Sequence, residues 1–303
     1  MNALETRSLT KRYGRKTAVD TLDVTVPEGS ICAFLGPNGA GKTTTIQLLM
    51  NLQPADAGEA FVLGVPATRL SPREWAQIGY VSENQKLPLW MTVQQLLDYC
   101  RPFYPTWDRE LERTLLVQFD LPAERKLKHL SRGMLMKAAL LSTLAYRPKL
   151  LVLDEPFSGL DPRARDDFVR GILEASGLGD WTVLVSSHDI EEVERLADNI
   201  ALLENGRLRF SETTESLLGR FRRMEVTVSG PVSLGACPAG WLALEQKGGL
   251  VKFILANFDG EKTQKTCRDY FPEGAVVAHP MTLREIFVTL ARETRTQPKG
   301  AAA

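Results

Sequence analysis

The sequence predicts an α/β protein: a core of buried parallel strands with helices between them, followed by a small α+β segment. Three stretches carry this expectation. Each is an apolar run that ends in polar residues: Ile31–Leu35 before Gly36, residues 150–153 before Asp154-Glu155-Pro156, and residues 182–185 before Ser186-Ser187-His188-Asp189. A parallel strand buried on both faces reads as a continuous apolar run. Ligands of such sheets sit outside the carboxyl ends of the strands, which is where these polar residues fall.

The first run feeds Gly36-Pro37-Asn38-Gly39-Ala40-Gly41-Lys42-Thr43-Thr44, and a helix-like run over 44–52 leaves it. Strand, glycine-rich turn, Lys-Thr and helix form the pattern of a phosphate-binding loop. Glycines let backbone N–H groups point at phosphate oxygens without a Cβ in the way. The following helix presents its positive N-terminal end to the same anion. Lys42 then reaches the β- and γ-phosphates, and the Thr43 hydroxyl holds Mg²⁺. A P-loop NTPase core follows.

The loop alone does not choose between a kinase, a GTPase and a motor. Asp154, at the tip of the second run, is placed to hold Mg²⁺ through water, and Glu155 to polarise an attacking water. The plain alternative is a core strand with solvated acids at its tip, and the phosphate loop in the same chain argues against it.

Between these stretches Leu130-Ser131-Arg132-Gly133-Met134 opens a helix-like run over 134–145, and Ser158-Gly159-Leu160-Asp161 follows the carboxylates. With these the chain resembles the ATP-binding-cassette (ABC) family of ATPases over about residues 3–218. Phosphate loop, family signature, Asp-Glu strand, Gly-Leu-Asp turn and switch histidine come in the family's order at similar spacing. The resemblance implies a P-loop NTPase core with an antiparallel β subdomain and an inserted helical subdomain at about 88–147, together residues 1–219. It implies ATP and Mg²⁺ as cofactors and adenine stacking on Tyr13, whose flat ring suits that role. It also implies a γ-phosphate contact from His188 and a place for Asp161 at a dimer interface. Two copies, or this chain and a paralogous ATPase, would close head to tail. Ser131, Arg132 and Gly133 of one would then face the γ-phosphate held by residues 36–44 of the other.

Two motifs depart from the commoner family forms. The strand-like run 78–81 ends in Ser82-Glu83-Asn84-Gln85, and Glu83 stands where the family usually has a Gln that contacts Mg²⁺ and the attacking water. A carboxylate still binds a metal but adds negative charge beside the phosphates; Gln85 is the rival if the loop is shifted. The commoner signature is Leu-Ser-Gly-Gly-Gln, and here Arg132 replaces the first glycine and Met134 the glutamine. Arg132 either adds a cation at the phosphate or lies solvated on the surface. Together the departures resemble the branch that energises export of drugs, peptides, polysaccharides and lipids. Leu87-Pro88-Leu89-Trp90-Met91 is either core or the edge of the groove that, in the family, receives a short helix from a membrane-embedded partner.

Composition sets the remaining bounds. The 303 residues carry 37 Lys+Arg and 37 Asp+Glu, so no basic field points to nucleic acid. Cys32, Cys100, Cys237 and Cys267 are far apart, which argues for a reducing compartment without metal or disulfide. No apolar run approaches about 18 residues and no signal peptide opens the chain, so membrane work needs a separate permease. The expected location is the cytoplasmic face of the inner membrane, as a peripheral subunit. A ribosome-directed ABC protein usually carries two cassettes, and a chromosome or repair ATPase needs a coiled coil between its motif halves. Only about 110 residues separate Lys42 from Asp154. An importer ATPase stays open as the alternative.

Helix-like runs over 93–99 and 109–119 belong to the helical subdomain, 189–197 reads as a further helix, and 200–203 with 208–210 as a hairpin on Asn205-Gly206. From about residue 220 short strand-like runs at 224–228, 251–255 and 275–278 precede a helix candidate at 283–292, with Leu283, Ile286, Phe287 and Leu290 on one face. They make a small accessory domain over 220–293 without a catalytic constellation, and 294–303 a disordered tail.

Overall fold

The computed structural model describes residues 1–176, 181–230, 238 and 240–296. The chain divides into two compact units, residues 1–211 and 212–303. The predicted class holds: an α/β core with an antiparallel sheet and a helical insertion, and a small α+β unit.

In the first unit β1 (Asn2–Tyr13) and β2 (Lys16–Pro27) form an antiparallel hairpin, and β3 (Ile31–Leu35) leads into the glycine-rich loop. Helix α1 (Lys42–Leu49) follows, then β4 (Ala57–Val62), β5 (Val65–Pro66), the one-turn α2 (Pro72–Trp75) and β6 (Ile78–Ser82). The insertion holds α3 (Val93–Cys100), α4 (Arg109–Gln118) and α5 (Arg132–Leu144). The chain returns through β7 (Leu150–Asp154), α6 (Pro162–Ser176), β8 (Thr182–Ser187), α7 (Ile190–Val193), β9 (Asn199–Glu204) and β10 (Arg207–Thr213).

One sheet has the order β2-β1-β4-β5; the other runs β10-β9-β3-β8-β7-β6, with its last five strands parallel. Every residue of β3, β7 and β8 is buried, which is why these strands read as unbroken apolar runs. The core between the sheets gathers Leu4, Leu22 and Val26, Ile46 and Leu49 of α1, Phe34 and Val152. The β9–β10 turn is Asn205-Gly206 with φ of 51° and 78°, the left-handed pair a tight hairpin needs. Its Gly206 N–H donates to Ala40 O at 2.9 Å, so the hairpin tip braces the glycine-rich loop.

Side-chain caps set the helix starts in the insertion. Thr92 and Gln95 form a capping box on α3, and Asp108 accepts from the first N–H groups of α4. Ser131 accepts from Met134 N, so α5 opens at Arg132, two residues ahead of the expected start. The buried Glu112 is paired: Arg101 Nη2 donates to it at 3.0 Å and Trp107 Nε1 at 2.6 Å. The stretch 189–197 is corrected, because it is α-helical only over Ile190–Val193. Leu196 and Ala197 N–H both close onto Val193 O, turning the chain so that Asp198 exchanges two hydrogen bonds with Ile31 at the start of β3.

The second unit contains α8 (Thr214–Arg220), β11 (Arg222–Thr227), β12 (Trp241–Lys247), β13 (Leu250–Leu255), α9 (Gly260–Tyr270), β14 (Ala275–Pro280) and α10 (Leu283–Thr296). Its antiparallel sheet has the order β12-β13-β11-β14, and Trp241 stacks on Phe253 at 3.9 Å over Phe271, Met224 and Cys267. Helix α10 takes in residues 294–296 of the expected tail; 297–303 and Cys237 lie outside the described residues. Cys32, Cys100 and Cys267 are free thiols, and burial pushes Cys32 up to about 12, as a packing residue requires. Among the described residues no helix is long and apolar enough to cross a membrane.

The contact between α4 and α6 depends on an absent side chain. A Cβ on Gly171 would stand 2.3 Å from the ring of Phe119, which is itself fully buried. Overpacking of this kind costs about 1–3 kcal/mol, against about 1 kcal/mol gained from the better helix propensity of alanine. Gly171→Ala should therefore lose up to about 2 kcal/mol in urea unfolding; a gain in stability would show that Phe119 repacks freely.

Candidate functional site

The register of the parallel strands builds the site. Asp154 lies between Ser186 on β8 and Ser82 on β6 in the row that Phe34 opens, and Leu35 pairs with Ser187 in the next, so four strands end level with one another. The loop of residues 36–41 rises from β3 at this row. Gly41, at φ 103°, caps the start of α1, and a Cβ there would stand 2.5 Å from Ala18 O. No other residue fits this conformation without strain.

Lys42, on the first turn of α1, is buried. Its ammonium donates to Gly36 O at 2.7 Å and Pro37 O at 3.4 Å and pairs with Glu155 Oε1 at 3.0 Å. Thr43 Oγ1 donates to Asp154 Oδ1 at 3.0 Å, and Ser186 Oγ donates to the same oxygen at 2.7 Å. Glu155 has φ 50°, a left-handed conformation that is uncommon for a non-glycine residue and costs about 1–3 kcal/mol. Its N–H donates to Ser186 Oγ at 2.9 Å, which holds the bend. The bend aims the carboxylate at Lys42 on one side and at His188 on the other, whose Nδ1 lies 2.8 Å from Oε2.

The structure thus joins Lys42, Thr43, Asp154, Glu155 and His188 in one network. Sequence reasoning passed over Ser186, whose hydroxyl links both carboxylate residues; its only signal was its place in Ser186-Ser187-His188. Burial pushes the Asp154 carboxyl up, opposed by the hydroxyls of Ser186 and Thr43. A buried carboxylate beside a threonine hydroxyl, with its nearest lysine committed to Glu155, is a hard-oxygen pair suited to Mg²⁺.

The other predicted residues lie around this network. Tyr13 is half-exposed; its hydroxyl meets Gln53, and Lys11 Nζ lies 5.7 Å from the ring centroid. Ser131, Arg132 and Gly133 sit at the N-terminal end of α5, with Gly133 packed on Ala164. Asp161 accepts from Ala164 N at 2.9 Å and so caps α6. Glu83 is tied by its N–H to Asp154 O at 3.0 Å, but its carboxylate points elsewhere and accepts from Arg132 and Ser158. Gln85 lines a groove with Leu87, Leu89 and Leu135, while Trp90 is exposed.

A glycine-rich loop between a parallel strand and a helix, with a buried lysine on the first turn of that helix and a Thr-Asp pair beside it, defines a P-loop nucleoside triphosphatase fold. The ABC transporter family model matches residues 19–158. The ABC transporter ATP-binding protein YtrB of Bacillus subtilis is 27% identical over 285 residues, 94% of this chain and 97% of that protein. The daunorubicin resistance ATP-binding protein DrrA2 of Streptomyces coeruleorubidus is 36% identical over 235 residues, 75% of this chain and 72% of that one. A solved ATP-binding subunit of an ABC transporter matches with a TM-score of 0.64 at 28% identity, covering 71% of this chain and 91% of that one. The chain belongs to the ABC transporter family, as an ATP-binding subunit that hydrolyses ATP.

Because burial raises the Asp154 pKa above its ordinary 3.8, folding disfavours the ionised form. Its contribution is most favourable below pH 3.8, is lost as pH rises through the raised value, and stays a penalty above it. Asp154→Asn should therefore raise the unfolding temperature of the nucleotide-free protein at neutral pH, by a margin that shrinks on acidification. A lower unfolding temperature at neutral pH would contradict this assignment.

Proposed function

We propose that this chain is the peripheral ATPase subunit of an exporter, closing head to tail with a second copy on two ATP molecules and driving a separate membrane permease from the cytoplasmic face of the inner membrane. One observation carries the two-copy arrangement. The network of Lys42, Thr43, Asp154, Glu155 and His188 provides one side of a triphosphate site. Ser131 and Gly133 head a helix whose N-terminal end suits a phosphate, and among the described residues no hydrogen bond joins them to that network. Residues 1–219 serve as the ATPase domain and 220–293 as the accessory domain. Export is supported by the Arg132-Gly133-Met134 signature, by Glu83, and by the drug-resistance relative.

Lys42 and Glu155 neutralise each other across 3.0 Å. The phosphates of ATP, carrying more charge, take Lys42 and set Glu155 free to orient water for in-line attack. His188 holds the second oxygen of Glu155, so the base turns toward the γ-phosphate as one unit with the histidine. Thr43 and Asp154 would hold Mg²⁺, which when bound neutralises charge on the phosphoryl oxygens. Tyr13 offers its ring to adenine, residues 36–44 wrap the phosphates, and Asp161 lies near the second copy. Loss of the γ-phosphate removes the link between copies, and this differential affinity drives the permease.

Glu155→Gln should bind ATP yet lower kcat by about 10²–10⁴-fold, the usual worth of a positioned base. Wild-type turnover would remove Glu155 from the reaction. The permease is tested by purifying tagged Glu155→Gln from detergent-solubilised membranes: a polytopic protein at near-equal stoichiometry is expected, and Trp90→Ala should lose it while still binding ATP. Ribosomal proteins or nucleic acid in its place would keep the ATPase and overturn the exporter.

A further inference from the structure

The two positions at which this chain departs from the commoner motifs touch each other. Arg132 Nη2 donates to Glu83 Oε1 at 2.7 Å, and Ser158 Oγ donates to the same oxygen at 2.7 Å. The guanidinium also lies against the turn after β7. A Cβ on Gly159 would stand 2.9 Å from Arg132 Nη1 and 3.0 Å from Cζ. The loops following β6 and β7 and the first turn of α5 therefore meet at one carboxylate oxygen and one guanidinium.

The contact is charge-matched and reversible. The Ser158 hydroxyl, with Arg132 after it, holds the Glu83 carboxyl below its ordinary 4.5 against the opposing effect of burial. Side-chain exposure is 51% for Arg132 and 32% for Glu83, so water is at hand to take over either partner. In this arrangement Nη2 is committed to Glu83 and Nη1 faces Gly159, so the fork of donors points into its own chain. A guanidinium recognises phosphate through that fork, and Arg132 cannot present it to a second copy while it is held here. A signature with glycine at this position, facing a neutral glutamine, forms no such pair.

We propose that Glu83, Arg132 and Ser158 form a latch that holds the signature loop against the chain's own half of the site, and that closure on ATP opens it, freeing Arg132 for the nucleotide phosphates held by the second copy. The latch rests on the two-copy arrangement above. Glu83 is then a positioning residue for Arg132. If it acted only within its own nucleotide site, its substitution would have the same effect whatever stood at residue 132.

The test is a double-mutant cycle in the Glu155→Gln background, with ATP-driven dimerisation followed by sedimentation velocity. Monomer affinity for a fluorescent ATP analogue is measured for each variant, so that midpoints are compared at equal occupancy. Glu83→Gln, nearly isosteric, should lower the ATP midpoint by about two- to fivefold, the scale of an exposed ion pair. The same change beside Arg132→Gln should have little effect, because the pair is already cut. Equal shifts in both backgrounds, or a raised midpoint, would overturn the latch and leave the ATPase assignment standing. A parent that stays monomeric at every ATP concentration would instead overturn the two-copy arrangement and the latch with it. In the nucleotide-free monomer, backbone amides of residues 131–135 should exchange hydrogen faster in Glu83→Gln; unchanged exchange would also count against the latch.

Discussion

The parallel register of β3, β8, β7 and β6 is the constraint on which the site depends. Phe34, Ser186, Asp154 and Ser82 lie in one row, with Leu35 and Ser187 in the next, only because each strand is aligned with its neighbour to the residue. A slip of one residue in β7 would send Asp154 to the other face of the sheet and leave a leucine beside Thr43. Burial enforces the alignment: β3, β7 and β8 have no exposed face to trade, so a shifted register would put polar residues into the core from both ends. Asp198 fixes β3 from below through two hydrogen bonds to Ile31, and the β9–β10 hairpin braces the glycine-rich loop from above. The apolar sheet thus acts as a ruler for its polar end.

At that end charge is arranged in opposed pairs. Burying an isolated lysine or carboxylate is expensive, and removing one member of a buried pair leaves the other uncompensated. Lys42 with Glu155 avoids that cost, because each buried charge is met by the other at 3.0 Å. Asp154 forms no ion pair among the described residues. Its two hydroxyl donors satisfy it as a hydrogen-bond acceptor without cancelling its charge, so burial raises its pKa. The sheet carries this destabilised carboxylate beside Thr43, where a cation would relieve it.

Most of the core was legible in the sequence because its signals are local. The glycine-rich loop, the apolar runs and the Asn205-Gly206 turn each encode their own geometry within a few residues. What was not legible is long-range or weakly patterned. Helix α9 buries only Thr263 and Cys267 along its eleven residues, so it lacks an apolar stripe to read. Strand β12 has one fully buried position, Trp241. Helix α7 ends early because Asp198 is needed at Ile31, a demand set 167 residues away. Ser186 is one hydroxyl among several until the sheet places it between two carboxylate residues.

The pairing of Glu83 with Arg132 belongs to the same illegible class, since no periodicity states which charges meet across 49 residues of chain. Its position gives it reach. The Glu83 backbone is bonded to Asp154 O at 3.0 Å, one residue from Glu155, while its side chain grips the first residue of α5. Glu83 thus connects the end of β7 to the first residue of α5 by itself. Ser158, from the turn that follows Glu155, bonds to the same Glu83 oxygen that Arg132 holds. A neutral glutamine at residue 83 could accept the serine bond but would hold the arginine more weakly, because charge-assisted hydrogen bonds are roughly twice as strong as neutral ones. Two departures that each look unfavourable alone, an acid beside phosphates and a bulky cation in a glycine position, become consistent once they are seen as one contact.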